Sequence, residues 1–220
     1  MIKKRKNKEQ KKDILVAFDR DGTLIYDDGY FGKKASWRKE LKFYDGAIET
    51  IKTLNPLADI IVASNQIGVA LGFYKPERVE EINVYIDEIL QQNRVKIDGW
   101  YFSPYVEKKW ALENGLDIKS PWVLKIFPHT RKPQIGMLKL AASDLNKTIQ
   151  SYRKIFVIGD SLDDIQMALK LTNGKGIFFE NNKNNHLIKE VKQLIVNNPG
   201  KIFIINHLFS AIEIIKRGSK

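Results

Sequence analysis

Short apolar runs, each followed by polar residues, recur along the chain and predict buried β-strands. Residues 14–18 read ILVAF and residues 59–63 read DIIVA, without a regular alternation of polar positions. Such runs are typical of strands that are covered on both faces, as in a parallel sheet. The predicted strands are 14–18, 59–63, 99–102, 154–158, 176–179 and 202–205.

Helical spacing of apolar residues fills the segments between these runs. Pro76 opens the longest such segment, in which apolar residues at 79, 82, 86, 89 and 90 lie on one helix face. Other helices are predicted at 45–54, 134–146, 162–171, 187–196 and 208–216. Strands that alternate with helices predict an α/β fold, with a parallel sheet covered by helices on both faces.

Two segments break this alternation. Residues 103–131 contain three prolines and two tryptophans and are predicted to form an irregular insertion. Residues 24–44 are too few to form a full cap domain over the sheet. We therefore predict that residues 13–220 form one domain with a minimal cap or none, preceded by a basic arm at residues 1–12.

The positive charge of the chain is concentrated in that arm. The formal net charge is +11, and seven of the first twelve residues are Lys or Arg. One interpretation is a solvated, disordered tail, and the other is a contact for nucleic acid or another polyanion. The first is favoured because no aromatic residue within the arm is available to stack on bases.

Cysteine content and hydropathy exclude several classes of protein. The chain has no cysteine, which excludes disulfides, thiol catalysis and Cys-ligated zinc. No run approaches the roughly 18 apolar residues of a membrane helix, and the N-terminus does not resemble a signal peptide. We expect a cytoplasmic enzyme without membrane contact.

The strongest chemical signal is Asp19-Arg20-Asp21-Gly22-Thr23, directly after the first predicted strand. In an open α/β sheet, ligands bind at the carboxyl ends of strands. There Asp19 is a candidate nucleophile towards phosphorus, and Asp21 is a candidate acid and base for the leaving oxygen and for water. The alternative is an acidic turn without function. It is disfavoured because Gly22, Thr23 and the preceding apolar run occur together with the two carboxylates.

Two weaker signals supply groups for a phosphate. Ser64 and Asn65 follow the second strand, where their side chains can donate to phosphate oxygens. Arg131 and Lys132 precede a predicted helix, and Lys132 can neutralise a transferring phosphoryl group. Each pair is also ordinary loop chemistry when taken alone.

The fourth signal, Gly159 to Asp164 (GDSLDD), follows the predicted strand 154–158. Asp160 is positioned to complete a Mg²⁺ site with Asp19 and the backbone carbonyl of Asp21, because hard cations prefer oxygen ligands. Asp163 or Asp164 can support this site by holding its ligands without contacting the metal. Helix capping by this segment is an alternative that does not exclude metal binding.

Together these segments resemble the haloacid dehalogenase (HAD) superfamily, whose four motifs match within residues 14 to about 180. The motifs are D-x-D-G-T at 19–23, S-N-Q-x-G-V-A-x-G at 64–72, R-K-P-x-x-G-M-L at 131–138 and G-D-S-L-D-D at 159–164. They are similar to the branch that holds histidinol-phosphate phosphatases, heptose bisphosphate phosphatases and polynucleotide 3′-phosphatases.

The resemblance implies a three-layer Rossmann-like fold and specific roles for the motif residues. It implies Asp19 as nucleophile, Asp21 as acid and base, and Asp160 as a ligand of Mg²⁺. Ser64 and Lys132 would hold the phosphate. Thr23, Asn65 and Arg131 are predicted to contact the substrate.

The chain departs from this branch between the second and third motifs. Many bacterial sugar and histidinol members carry a Cys/His zinc loop there, whereas this chain has Ser103 near the first ligand position and His129 as the only histidine of the segment. We therefore expect no zinc and an aromatic insertion that packs on itself.

Three hypotheses on function follow. The leading one is hydrolysis of a sugar phosphate or a similar small metabolite, for which the GDSLDD motif is the main support. The second is a polynucleotide 3′-phosphatase, favoured by the positive charge and the weakly capped site. The third, a non-catalytic binding protein, is disfavoured by the intact motifs.

Overall fold

The computed structural model describes residues 12–218, so most of the predicted basic arm lies outside the described residues. Its main sheet has six strands, all parallel, in the order β3-β2-β1-β6-β7-β8. These strands are β1 (Ile14–Phe18), β2 (Asp59–Asn65), β3 (Gly99–Ser103), β6 (Lys154–Gly159), β7 (Gly174–Phe179) and β8 (Ile202–Ile205). Two short parallel strands, β4 (Val106–Glu107) and β5 (Val123–Leu124), pair outside it.

Nine α-helices are present in the described residues, and most of them connect consecutive strands of the main sheet. They are α1 (Trp37–Glu40), α2 (Ala47–Leu54), α3 (Ile67–Ala70), α4 (Pro76–Gln92), α5 (Lys108–Glu113), α6 (Gly136–Asp144), α7 (Leu162–Leu169), α8 (Ile188–Asn197) and α9 (Ala211–Gly218). None of them combines the length and the hydrophobicity that a membrane crossing requires.

Alternate residues of β1 explain why its apolar run is unbroken. Ile14, Val16 and Phe18 face a core that also contains the buried residues of α2, α4 and α9. Leu15 and Ala17 face a second core, which is built with α6 and α7. Because both faces of the strand are covered, every position along it is apolar. The predicted α/β fold with helices on both faces is confirmed.

The insertion contains more regular structure than its sequence suggested. Residues 103–131, predicted to be irregular, include α5 and the β4–β5 pair. Val106 donates its backbone amide to the Trp122 carbonyl (2.9 Å), and the Tyr105 and Trp122 rings lie 5.8 Å apart. The segment therefore packs on itself, as expected, but through a short strand pair as well as through aromatic rings.

The strand register brings the polar motifs to one edge of the sheet. Phe18 pairs with Val62 on one side and with Ile158 on the other, so Asp19, Ser64 and Asp160 follow at the carboxyl ends of three adjacent strands. Lys12 precedes β1 and lies at the opposite, amino edge.

Candidate active site

Asp19 and Lys132 form a buried ion pair at the centre of this edge. The Lys132 Nζ lies 2.7 Å from Asp19 Oδ1 and 2.7 Å from Asp164 Oδ1. The exposed fraction is 7% for Asp19, 2% for Lys132 and 0% for Asp164. One ammonium group therefore lies between two carboxylates, which fixes the Asp19 side chain at the end of β1.

Asp164 holds Lys132 and also belongs to the capping box at the start of α7. Its Oδ2 accepts hydrogen bonds from the Ser161 hydroxyl (2.5 Å) and backbone amide (3.2 Å), while Ser161 Oγ accepts from the Asp164 amide in a capping box. Gly159 makes room for this arrangement, because a Cβ there would lie 2.1 Å from Asp164 Cγ. Helix capping, one of the two roles expected of this segment, is thus present, and support of a metal site by it stays a prediction.

Asp21 is surrounded by hydrogen-bond donors. The buried Arg20 guanidinium donates to both carboxylate oxygens of Asp21, at 3.0 and 2.9 Å. Gln66 Nε2 donates to Asp21 Oδ2 at 2.5 Å, and Ser64 Oγ donates to the same oxygen at 3.4 Å. Such a bidentate pair fixes the orientation of a carboxylate, as a group that exchanges protons with a substrate requires.

The partners of Asp21 are held in turn by residues that sequence reasoning missed. Tyr74 donates its hydroxyl to Gln66 Oε1 (3.0 Å), and Arg20 donates to Asn83 Oδ1 of α4 (2.8 Å). Gln66 belongs to the S-N-Q motif at 64–66, so the sequence could have identified it as a site residue. Nothing in the local sequence marks Asn83, because α4 brings it to the site from 63 residues away.

Asp160 is held by a segment that no motif indicated. Asn181 Nδ2 donates to the Gly22 carbonyl (3.0 Å) and to Asp160 Oδ2 (3.3 Å), which joins the first and fourth motifs. Asn184 Nδ2 donates to the Asp160 carbonyl (2.9 Å). Gly22 adopts φ +82°, and a Cβ there would lie 2.3 Å from Asp160 Oδ2, so glycine is required where these loops meet.

These side chains surround a cleft of about 300 Å³. Its lining includes most of the predicted site residues, namely Asp19, Asp21, Ser64, Asn65, Arg131, Lys132, Asp160 and Asp163, together with Asp27 and Ser161. Four sequence segments that are far apart in the chain therefore meet in one cavity.

Thr23 and Asn65, which were predicted to contact the substrate, have different environments in the structure. Thr23 is fully buried and is absent from the cleft lining, and its hydroxyl has no hydrogen-bond partner among the described residues. Asn65 uses both ends of its amide on the Lys132 backbone, accepting from the amide (2.9 Å) and donating to the carbonyl (3.2 Å). In this structure Asn65 therefore positions Lys132, and contact of Thr23 or Asn65 with a substrate stays a prediction.

Burial and crowding shift the pKa values in the cleft. Burial raises the pKa of Asp19 well above its usual value, and the Lys132 charge opposes this only in part. Burial and the Asp164 charge raise the pKa of Asp160 to about 6. Burial acts to lower the pKa of Lys132, but the charges of Asp164 and Asp19 raise it above its ordinary value. Lys132 therefore stays protonated.

The donor set of the cleft fits a hard divalent cation. Asp19, Asp160 and Asp164 each place a carboxylate oxygen within 4.8 Å of the others. Both oxygens of Asp164 are already bonded to Lys132 and Ser161, so Asp19 and Asp160 are the carboxylates available to a metal. The lining holds five carboxylates but only two cationic side chains, a surplus that favours a cation such as Mg²⁺.

The two ends of the insertion carry hydroxyl groups at Ser103 and Thr130. Ser103 Oγ and Thr130 Oγ1 lie 3.3 Å apart, so the fold brings the two ends of the insertion together. A hydrogen bond between neutral hydroxyls joins these ends, and hydroxyls are not the N and S ligands that structural zinc prefers.

A family model described as polynucleotide kinase 3 phosphatase matches residues 14–173. This segment contains every motif residue of the cleft. The chain belongs to this family. It is a phosphatase of the HAD superfamily, that is, a phosphoric monoester hydrolase.

Curated relatives of the phosphatase carry a more specific name. The D-glycero-beta-D-manno-heptose-1,7-bisphosphate 7-phosphatase of Photorhabdus laumondii is 29% identical over 184 residues, which cover 83% of this chain and 89% of the relative. The enzyme of the same name from Pasteurella multocida is 29% identical over 181 residues, covering 81% and 83%.

Solved structures share the fold of the phosphatase at lower identity. The D,D-heptose 1,7-bisphosphate phosphatase from B. bronchiseptica, complexed with magnesium and phosphate, superposes with a TM-score of 0.65 at 19% identity and covers 92% of this chain and 98% of that one. A HAD-like phosphatase from Mesorhizobium loti gives a TM-score of 0.63 at 23% identity, covering 77% and 74%. These similarities support the three-layer HAD-like fold.

Proposed function

We propose that the protein is a Mg²⁺-dependent phosphatase that hydrolyses the phosphate monoester of a sugar or a similar small metabolite through a phosphorylated Asp19. The observation that carries this proposal is the Asp19 carboxylate, which lies at the carboxyl end of β1 and is held by Lys132 at 2.7 Å in a cleft of about 300 Å³. A buried carboxylate held beside an ammonium group is suited to attack a phosphate whose charge that ammonium offsets.

The side chains supply each part of the reaction. An Asp19 oxygen forms a bond to phosphorus as the bond to the leaving oxygen breaks, and Asp21 gives that oxygen a proton. Asp21, now ionised, takes a proton from water, whose oxygen attacks phosphorus. The acyl-phosphate bond then breaks, which releases inorganic phosphate and restores Asp19. Ser64 and Lys132 hold the phosphate oxygens throughout.

Asp19 and Asp160, with the Asp21 carbonyl, would hold the metal. When bound, Mg²⁺ offsets negative charge on the carboxylates and on the phosphate. Without a cation, the surplus of carboxylates in the lining repels an anionic substrate.

The small-metabolite substrate is supported by the names of the relatives. Two relatives at 29% identity are named as heptose bisphosphate phosphatases. Lys12, the residue of the predicted arm that the structure describes, lies at the amino edge of the sheet, opposite the cleft.

The second candidate is a polynucleotide 3′-phosphatase. The description of the matching family model favours it, as does the excess of basic residues before β1. In this case the arm would contact backbone phosphates away from the cleaved group.

A substrate screen on the full chain and on a chain without residues 1–11 distinguishes the two. The panel contains sugar bisphosphates, histidinol phosphate and a 3′-phosphorylated oligonucleotide, each with and without Mg²⁺ at two salt concentrations. We expect Mg²⁺-dependent turnover of a small phosphate ester and a kcat/KM that truncation leaves nearly unchanged. Preferential oligonucleotide turnover that collapses on truncation would establish the second candidate instead.

A further inference from the structure

A second cavity, of about 550 Å³, lies beside the catalytic cleft at the carboxyl ends of β7 and β8. We call it the amide pocket, after its walls of Tyr26, Tyr44, Phe179, Asn182, Asn185 and Asn206. Asn181 lines this pocket and also donates to Asp160 of the catalytic cleft at 3.3 Å. The two cavities are therefore neighbours that are linked through the buried side chain of Asn181.

The amide pocket is lined by polar groups, among which Asn182, Asn185 and Asn206 are exposed and Tyr26 and Tyr44 are half-buried. Within residues 12–218, the side chains of Tyr26, Tyr44 and Asn206 form no hydrogen bond, and those of Asn182 and Asn185 form none either. Burial and the negative charge of Asp160 raise the pKa of Tyr44 to about 12, so its phenol keeps its proton at neutral pH. The walls can thus both donate and accept hydrogen bonds.

The charge of the pocket disfavours an anion. Asp45 and Glu180 line it, and the ammonium of Lys183 is committed to the Asp28 carboxylate and the Asp27 carbonyl. The remaining basic group in the lining is His207. A second phosphate would meet two carboxylates there, whereas hydroxyl groups can donate to carboxylates and accept from amides.

The aromatic rings disfavour a planar base. Tyr26 is stacked on Tyr44 with ring centroids 3.9 Å apart, and Lys42 Nζ lies 4.7 Å over the Tyr26 ring. Phe179 meets Tyr44 edge-on at 5.0 Å. Each tyrosine ring therefore covers one face of the other, and Lys42 lies over Tyr26, which reduces the ring surface on which a planar base could stack.

We propose that the amide pocket binds a neutral polyhydroxylated group, such as a sugar or a polyol, next to the catalytic cleft. Carboxylates, amides and phenols that bond several hydroxyls, beside apolar ring surface, form a site of mixed polarity of the kind that such a ligand requires. This inference does not depend on which phosphate ester the enzyme hydrolyses.

Saturation-transfer NMR on the full chain tests it with two probes, methyl α-D-mannopyranoside and methyl β-D-ribofuranoside. Spectra are recorded with Mg²⁺ and inorganic phosphate present, so that the catalytic cleft is occupied. The variants are Asn206→Ala and Tyr44→Phe, and the matched control is Asn197→Ala, an exposed asparagine at the end of α8.

We expect saturation transfer to at least one probe in the presence of phosphate. Each pocket variant should weaken the apparent affinity by about three- to tenfold, the effect of one lost hydrogen bond, while the control leaves it unchanged. The proposal is overturned if neither probe receives saturation, if phosphate abolishes the signal, or if the pocket variants bind the probes as the control does. Loss of phosphatase activity on every ester, with probe binding intact, would instead count against the proposed function alone.

Discussion

Both edges of the main sheet bury carboxylates beside lysines, but the two edges differ in their charge balance. At the amino edge, Asp59 is bonded by Lys147 and by the Tyr152 hydroxyl, and Asp98 is paired with Lys96 at 2.7 Å. Each carboxylate there has its own cation. At the carboxyl edge, Asp19 and Asp164 share one lysine, and Asp160 lies within 4.8 Å of both.

The difference teaches that burial of an ion pair does not by itself indicate function. A balanced pair is satisfied within the fold and contributes to structure. A surplus of buried charge in an open cleft is costly, and the cost is offset only when a ligand of opposite charge binds. We therefore infer that the carboxyl edge is the functional edge, because the carboxylates in its cleft outnumber the cationic side chains there.

Asp19→Asn and Asp59→Asn give the sharpest contrast between the edges. The amide at position 19 is a poor nucleophile and an uncharged metal ligand, so we expect kcat to fall by at least about 10⁴-fold with the fold retained. Asp59→Asn should lower the free energy of unfolding by about 1–3 kcal/mol and leave kcat nearly unchanged. Steady-state kinetics and urea denaturation of both variants measure this. Equal effects on kcat would remove the distinction.

The lysines that pair with these carboxylates, Lys132 and Lys147, allow the same comparison between the two edges. Lys132→Met leaves Asp19 and Asp164 without their shared cation, and we expect kcat/KM to fall on the order of 10²- to 10³-fold. Lys147→Met removes this cation from Asp59 and keeps the Tyr152 hydroxyl, so stability should fall while kcat/KM is preserved. The same two assays apply. An active Lys132→Met enzyme would show that the phosphate needs no cation at this position.

Asn181→Ala tests whether the segment after β7 supports metal binding. Without the hydrogen bond to Asp160, the affinity for Mg²⁺ should fall by about tenfold or more, whereas kcat at saturating Mg²⁺ should change little. Calorimetric titration with Mg²⁺ measures the affinity directly, with Asn197→Ala as control. Unchanged affinity would reduce Asn181 to a structural role.

The raised pKa of Asp160 predicts how the stability of the metal-free protein depends on pH. A folded-state pKa of about 6, above the ordinary 3.8, means that protonation favours the folded state, and this contribution is lost as pH rises through about 6. At pH 7.5, metal-free Asp160→Asn should therefore be more stable than the wild type, by up to about 3 kcal/mol. The gap should shrink at pH 5 and also when Mg²⁺ is added to the wild type. If urea denaturation gave the same stability difference between the two proteins at every pH, the raised pKa of Asp160 would be contradicted.

The fold and the grouping of the motif side chains were predictable because both depend on local sequence. Unbroken apolar runs located all six strands of the main sheet, and polar residues at the strand ends indicated Asp19, Ser64 and Asp160 as neighbours. The strand register then brought these residues to one edge.

The supporting residues were not predictable for the same reason. Asn83 reaches Arg20 from the middle of α4, and Asn181 reaches Asp160 and Gly22 from a loop without a motif. Their roles depend on tertiary contacts that no local pattern encodes. Asn65 shows the same limit, since its motif gave no indication that its amide is bonded to the Lys132 backbone.

The central claim is that Asp19 becomes phosphorylated during turnover. Enzyme that is hydrolysing a sugar phosphate in Mg²⁺ is quenched in acid, and its peptides are analysed by mass spectrometry before and after treatment with borohydride, which reduces an acyl phosphate to an alcohol. The account predicts that the peptide containing Asp19 gains the mass of one phosphoryl group and that reduction converts this residue to homoserine. Active enzyme that carries no adduct at Asp19, or carries one at another residue, would contradict it.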